Sequence, residues 1–367
     1  MKIKQVIRCI ENYAPLRYQE DFDNAGLIVG DAEAETDAAL LCIDITEDVI
    51  DEAISKKINL IISHHPVVFS GLKKFTGKTF TQRIIAKAIK YDIALYAAHT
   101  NMDNIAGGVN TKICEKLGLV NCKILQPRNN ELVKIVVYVP ESHAEKVRRA
   151  MFDAGAGNIG AYSNCSFNTQ GKGTFLAGKN TKPFVGEAGK LHVEDETRVE
   201  MIATKNNLRE IEKAIVRNHP YEEIAYDIYN VENAYENVGS GMLGDLPSPM
   251  TYDNFYEMLK NVFSLKIIRT TKPVSETISR VALCGGAGSF LLGEAIANQA
   301  DIFISGDFKY HQFFDADGKI TIADIGHFES EQFTTEIFYD IIKKNLPTFA
   351  AQFAEKSINP IIYIITK

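Results

Sequence analysis

Two adjacent imidazoles in Ser63-His64-His65-Pro66 follow the apolar run 58–62, and they are the strongest chemical signal in the chain. Such a run, set among segments of helical spacing, reads as a strand of an open α/β sheet, and ligands bind these sheets at the strands' carboxyl ends. Histidine is a ready metal ligand there. Adjacent side chains on extended backbone point apart, so the two rings suit two ions better than one. The next run, 93–98, delivers His99-Thr100-Asn101-Met102-Asp103 at its own carboxyl end and sets Asp103 beside the pair. Farther on, the run 320–324 leads into Gly326-His327-Phe328-Glu329-Ser330-Glu331. His327 and Glu331 stand four apart, the spacing that puts two helical side chains on one face. A helix N-terminus with an acid in its first turn gives the same spacing.

Together His64, His65, Asp103, His327 and Glu331 make five ligands. Five exceed the four of a tetrahedral zinc, yet they cannot close two sites unless a carboxylate is shared. A bridging Glu331 leaves positions open for water, the arrangement of metal-assisted hydrolysis. Imidazole and carboxylate without thiolate admit Zn, Mn, Fe, Co or Ni. Two divalent ions per subunit are expected, zinc first. His99 reads as a residue that orients a ligand and His311 as a proton shuttle, with an ordinary structural role the competing reading for each.

Positioning these residues requires alternating strands and helices. Apolar runs at 39–45, 58–63 and 93–98 alternate with helical spacing over 47–56 and 81–91, which predicts a mostly parallel sheet covered on both faces. A polar, proline-containing joint at 126–130 then changes the texture. Beyond it lie a strand (132–139), a helix (141–154), a Gly-rich polar loop (163–196), a strand (198–204), a helix (208–217) and a strand (224–231). That βα(loop)βαβ order is the pattern of a ferredoxin-like α+β module. After residue 233 the α/β texture returns, with strands at 281–284, 302–305 and 320–324. The fold class is therefore a layered α/β body in two sequence halves, 1–126 and 236–367, interrupted by an inserted module, 127–235.

Two glycine-rich segments invite other readings. Gly239-Ser240-Gly241-Met242-Leu243-Gly244 has the spacing of a dinucleotide fingerprint, but the prolines of Asp245-Leu246-Pro247-Ser248-Pro249 forbid the helix it needs, so a hinge is expected. Cys284-Gly285-Gly286-Ala287-Gly288-Ser289 follows a strand and precedes a helix, which suits either an anion cradle or tight packing. Net charge is −7, so no global basic footprint favours nucleic acid. No apolar run approaches the roughly 18 residues of a membrane span, and no membrane partner is expected. The six cysteines stand far apart, which fits a reducing cytoplasm.

The segments Phe22-Asp23-Asn24-Ala25-Gly26-Leu27, Ser63-His64-His65-Pro66, His99-Thr100-Asn101-Met102-Asp103, Cys284-Gly285-Gly286-Ala287-Gly288, Ser305-Gly306-Asp307 and Gly326-His327-Phe328-Glu329-Ser330-Glu331 together resemble the Ngg-interacting-factor-three-like family. Its members are often labelled GTP cyclohydrolase type 2 homologues. The resemblance implies a di-metal centre with His64, His65, Asp103, His327 and Glu331 as ligands, Glu331 bridging, in a ring-shaped homohexamer. It implies a metal-dependent hydrolase whose small-molecule substrate is a nucleotide or a relative of one. The middle segment resembles the PII-like or CutA-like insert of the longer bacterial members, matched at Asn218-His219-Pro220-Tyr221-Glu222-Glu223. The alternative is a non-catalytic metal-binding regulator or scaffold with a ligand-sensing insert. The family commonly has Trp where Phe22 stands and often Arg where Met242 stands, and the latter change removes an anion contact.

Overall fold

A computed structural model describes residues 1–364. Its strands are β1 (Gly26–Val29), β2 (Ala38–Cys42), β3 (Leu60–Ser63), β4 (Ala94–Ala97), β5 (Val120–Arg128), β6 (Leu132–Pro140), β7 (Phe167–Leu176), β8 (Leu191–Thr204), β9 (Tyr226–Asn230), β10 (Tyr235–Thr251), β11 (Arg269–Thr270), β12 (Thr277–Ala287), β13 (Ile302–Gly306), β14 (Thr321–Asp324) and β15 (Ala350–Phe353). The chain forms two compact units, residues 1–127 with 236 onward, and Arg128–Tyr235. Among the described residues, no helix is long and apolar enough to cross a membrane.

The first unit holds two sheets. One has the order β1-β4-β3-β2-β15, parallel except for β1, which runs antiparallel to β4. All residues of β3 and β4 are buried, as continuous apolar strands must be when both faces are covered, one of them here by crossover helices. Those crossovers are Glu47–Lys56, capped by the Thr46 hydroxyl accepting from Val49 N at 3.2 Å, and Phe80–Lys90, capped in the same way by Thr79. Val49, Ile50 and Ala53 of the first, with Ile84 and Ala88 of the second, close over Leu40, Ile61 and Leu95.

The other sheet has the order β11-β14-β13-β12-β10-β5. Its centre, β12-β13-β14, is parallel, while β10 and β11 add antiparallel strands. Phe303, Leu291 and Ile322 lie in its core. Each sequence half thus builds a sheet of its own, and the halves exchange one strand each: β15 completes the first sheet and β5 edges the second.

The expected hinge at 239–244 is instead the middle of β10, a strand of 17 residues. A Cβ at Gly239 would collide with the carbonyl of Gln126, so the glycine lets β10 approach β5 closely. The joint at 126–130 is likewise structured, since β5 continues through Pro127 to Arg128. Proline is tolerated there because β5 is an edge strand.

The second unit is an antiparallel sheet of order β7-β8-β6-β9 with two helices, Ala144–Asp153 and Leu208–Asn218. Val147, Met151, Ile211 and Ile215 of the helices pack with Ile135, Val137, Val199 and Met201 of the sheet. The loop expected over 163–196 is mostly a hairpin, with β7 and β8 in register from Phe167 opposite Glu200 to Leu176 opposite Leu191. Almost every side chain of β7 is exposed, so no apolar alternation marks it in the sequence.

Candidate metal centre

The converging side chains of the first unit all leave the carboxyl ends of parallel strands. β3 delivers His64 and His65, and the sheet pairing continues past it, with His64 N donating to Cys42 O at 3.2 Å and His65 N to Ile43 O at 3.0 Å. β4 delivers His99 and the short helix Thr100–Asp103. β14 delivers the helix His327–Glu331, and Ile325 N donates to Ser305 O at 2.9 Å to hold its approach. Two more acids arrive in the same way, Asp44 after β2 and Asp307 after β13.

Four rings use Nδ1 for orientation. His64 Nδ1 donates to Ala98 O at 3.0 Å, His65 Nδ1 to Asp44 at 2.8 Å, His327 Nδ1 to Asp307 at 2.8 Å and His99 Nδ1 to Asp23 at 2.8 Å. Asp23 is itself fixed by the backbone N–H and hydroxyl of Thr100. Three of the Nε2 atoms therefore face inward onto Glu331, which is 2% exposed. His65 Nε2 is 3.0 Å and His327 Nε2 3.1 Å from Oε2, while His64 Nε2 is 3.5 Å from Oε1 and 3.7 Å from Asp103 Oδ1. His65 Nε2 and His327 Nε2 are 3.3 Å apart.

Unprotonated at Nε2, these rings and the carboxylates are acceptors facing acceptors. His64 Nε2, Asp103 Oδ1 and Glu331 Oε2 are buried with no hydrogen-bond partner. Buried lone pairs that face one another need a proton or a cation between them. Burial pulls the His64 pKa down and keeps that ring neutral. Burial would also lower His65, but Asp44 and Glu331 outweigh it and push the ring up to about 10. For His327 burial is again outweighed, by Glu331 and Asp307, and its pKa rises to about 9. Burial and the nearby Glu331 carboxylate push Asp103 well above the usual range. Glu331 stays ionised because His64, His327 and His65 outweigh its burial.

Three sets of ligand atoms each lie within 4.8 Å of one another: His64, Asp103 and Glu331; His65, His327 and Glu331; and His64, His65 and His99. The first two divide the adjacent histidines and share the carboxylate. All five sequence-derived ligands are brought together, and His99 joins them at ring-centroid distances of 5.2 Å from His64 and 5.3 Å from His65. His311 is not brought to them. It sits exposed on the turn Tyr310–Ala316 with its ring against Tyr310 and Phe314, and none of the three sets includes it.

The glycine segment supports the centre by packing. Gly286 has φ +62°, and a Cβ there would collide with Glu331 Oε1. Three N–H groups that an anion cradle would use are instead paired inside the protein: Gly285 with Asn110 Oδ1 at 2.8 Å, Gly286 with Ser330 Oγ and Gly288 with Ser305 Oγ, both at 2.9 Å. Sequence reasoning gave no role to Asp23, Asp44 or Asp307. For Asp44 and Asp307 the signal was the one that exposed the histidines, a polar residue just past a strand's carboxyl end, whereas Asp23 precedes β1, whose antiparallel start at Gly26 lies beside Ala97 of β4.

Comparison with known proteins gives consistent matches. The sequence model of Duf34/NIF3 (NGG1p interacting factor 3) matches residues 1–360. The "GTP cyclohydrolase 1 type 2 homolog" of Halalkalibacterium halodurans is 39% identical over 325 residues, 88% of this chain and 87% of that protein. The protein of the same name from Bacillus subtilis is 37% identical over 327 residues, 89% and 88% of the two chains. A Bacillus cereus protein related to NIF3 has a crystal structure that covers 99% of both chains at 36% identity, with a TM-score of 0.87.

Proposed function

This chain belongs to the Duf34/NIF3 (NGG1p interacting factor 3) family, and we propose that it works as a metal-dependent hydrolase on a nucleotide or a related small molecule. The observation that carries the reading is the single carboxylate of Glu331, common to one set with His64 and Asp103 and another with His65 and His327. Each set would hold one divalent cation, zinc first by its donor chemistry of imidazole and carboxylate. When bound, such a pair supplies Lewis acidity and brings the pKa of water toward neutrality. The chain's own part is orientation and proton handling. Asp44, Asp307 and the Ala98 carbonyl keep three rings aimed through Nδ1, and His99, bonded to Asp23, is assigned proton transfer at Nε2. The name shared by the curated relatives supports a nucleotide substrate.

The test is protein purified without chelator, analysed for metal and assayed on GTP and simple phosphoesters, beside Glu331→Gln. Close to two ions per chain, with turnover that Glu331→Gln reduces far more than it alters the fold, supports the reading. Trace metal alone, or no turnover with any of Zn, Mn, Fe, Co and Ni, defeats it.

Two further parts of the proposal concern architecture. The βαββαβ order and the sheet order β7-β8-β6-β9 support residues 127–235 as an inserted ferredoxin-like, PII-like or CutA-like module. The ring-shaped homohexamer implied by the resemblance is checked by native mass measurement. A second reading, a metal-binding regulator or scaffold with a ligand-sensing insert, is favoured by a cavity of about 590 Å³ in the second unit.

A further inference from the structure

We infer that the second unit binds a small molecule of its own, one with an aromatic body and a positively charged nitrogen, in the cavity beside the β7–β8 hairpin. The inference deepens the regulatory reading and does not depend on the metal centre. The cavity, about 590 Å³, falls within the range of ligand pockets, and Tyr138, Phe175, Phe184 and Tyr221 contribute to its walls. The Tyr221 ring lies 6.1 Å from Phe175 and 6.3 Å from Phe184, so three aromatic rings surround one space. Phe184 is 52% exposed, a large apolar surface that a bound ring would cover.

Glu196, Glu222 and Glu223 line the cavity, and Glu196 is hydrogen-bonded to one of its aromatic residues. Glu196 Oε1 accepts from the Tyr221 hydroxyl at 3.0 Å, and among the described residues Oε2 has no hydrogen-bond or ion-pair partner. The carboxylate lies across Gly173, where a Cβ would collide with Oε2, so a side chain at that position would close the space it occupies. Tyr221 is itself fixed, its N–H donating to His219 Nδ1 at 3.1 Å while His219 Nε2 donates to Tyr138 O at 2.9 Å. The acceptor is thus held in place rather than mobile.

Charge decides which ligands fit. The two cationic residues of the lining are already matched, Lys172 with Asp195 at 2.6 Å and Arg198 with Glu200 at 2.8 Å. Glu196 therefore presents an acceptor that no protein cation neutralises. Aromatic faces carry negative potential and attract cations, and a carboxylate beside them reinforces the preference. An anion of the same size would meet both the ring faces and the carboxylate unfavourably.

The test titrates the full chain with benzamidine, whose planar ring carries a positive amidinium, and with benzoate, the same ring with the opposite charge. Calorimetry and ligand-observed NMR read the affinities, and metal content is measured on the same samples. Benzamidine is expected to bind at least about 10-fold more tightly than benzoate. Glu196→Gln is expected to weaken benzamidine about 10-fold, with Phe184→Ala weakening it to a similar degree and neither changing metal content. Equal affinity for the two probes, or benzamidine binding that survives both substitutions, overturns the inference. If Glu196→Gln loses its native circular dichroism, Phe184→Ala decides alone, and unchanged benzamidine affinity in that variant overturns it. A failure here leaves metal content and turnover at the first unit untouched, so it is distinguishable from a failure of the hydrolase reading.

Discussion

In the metal-free chain His65 and His327 hold protons that a cation must displace, because Asp44, Asp307 and the ionised Glu331 raise their pKa values to about 10 and about 9. Metal binding at neutral pH therefore releases protons, and affinity rises with pH toward that range. Calorimetry in buffers of different ionisation enthalpy should detect the release, and an affinity flat from pH 6 to 9 would contradict it. The stability term has the opposite slope. A raised folded-state pKa stabilises the metal-free protein fully below the ordinary histidine value of 6.5, and that contribution is lost as pH rises through 9 to 10. Melting of chelator-treated protein should accordingly fall over this window. Asp44→Ala removes the group that aims His65 and should cost about 10- to 100-fold in affinity for one ion, with the set containing His64 and Asp103 less affected. Competition titration with a metal-sensitive dye resolves the two. The converging residues were legible because paired histidines and a His-x-x-x-Glu spacing each fall just past an apolar run. The orienting aspartates were not, since a lone Asp after a strand has many ordinary uses.

Elements buried on both faces declare themselves, and those at edges do not. β3 and β4 read as strands because every residue is apolar or buried, and their crossover helices carry a clear apolar face. β1, β5 and β7 lie at sheet edges, where one flank has no partner and the apolar pattern fades. The outer hairpin of the second unit gave the largest difference from expectation, because Gly171, Lys172 and Gly173 mimic loop composition inside a paired strand. The helix Glu47–Lys56 begins just past Asp44 and depends on the Thr46 cap. Thr46→Ala should destabilise the first unit by about 1 kcal/mol, read as a lower denaturant midpoint at unchanged slope. A shift below a few tenths would mean that Glu47 and Asp48 in the first turn satisfy the helix without it.

The whole molecule is two units whose junction falls between neighbouring strands. β5 ends and β10 begins at the cut, and these strands lie side by side in one sheet. Joining residue 127 to residue 236 through a short Gly/Ser linker should therefore leave a soluble first unit that still takes up metal. Insoluble protein, or soluble protein without metal uptake, would remove the support for independent folding. At this scale the sequence offers a broad change of texture near residue 126, whereas the exchange of β5 and β15 between sheets leaves no local trace.

That exchange sets an order of events during synthesis. Ala38 of β2 pairs with Ala350 of β15, and His65 meets His327 across 262 residues. While the nascent chain leaves the ribosome, the first sheet is missing its last strand and the first histidines have no Glu331 to face. Contacts of such long sequence separation form late and slowly. A chain terminated before β15 leaves the edge of β2 unpaired, and one terminated before the helix His327–Glu331 also lacks two of the five candidate ligands. A copy that stops before His327 would then carry both an adhesive strand edge and an incomplete constellation of side chains, and so be prone to association with its like.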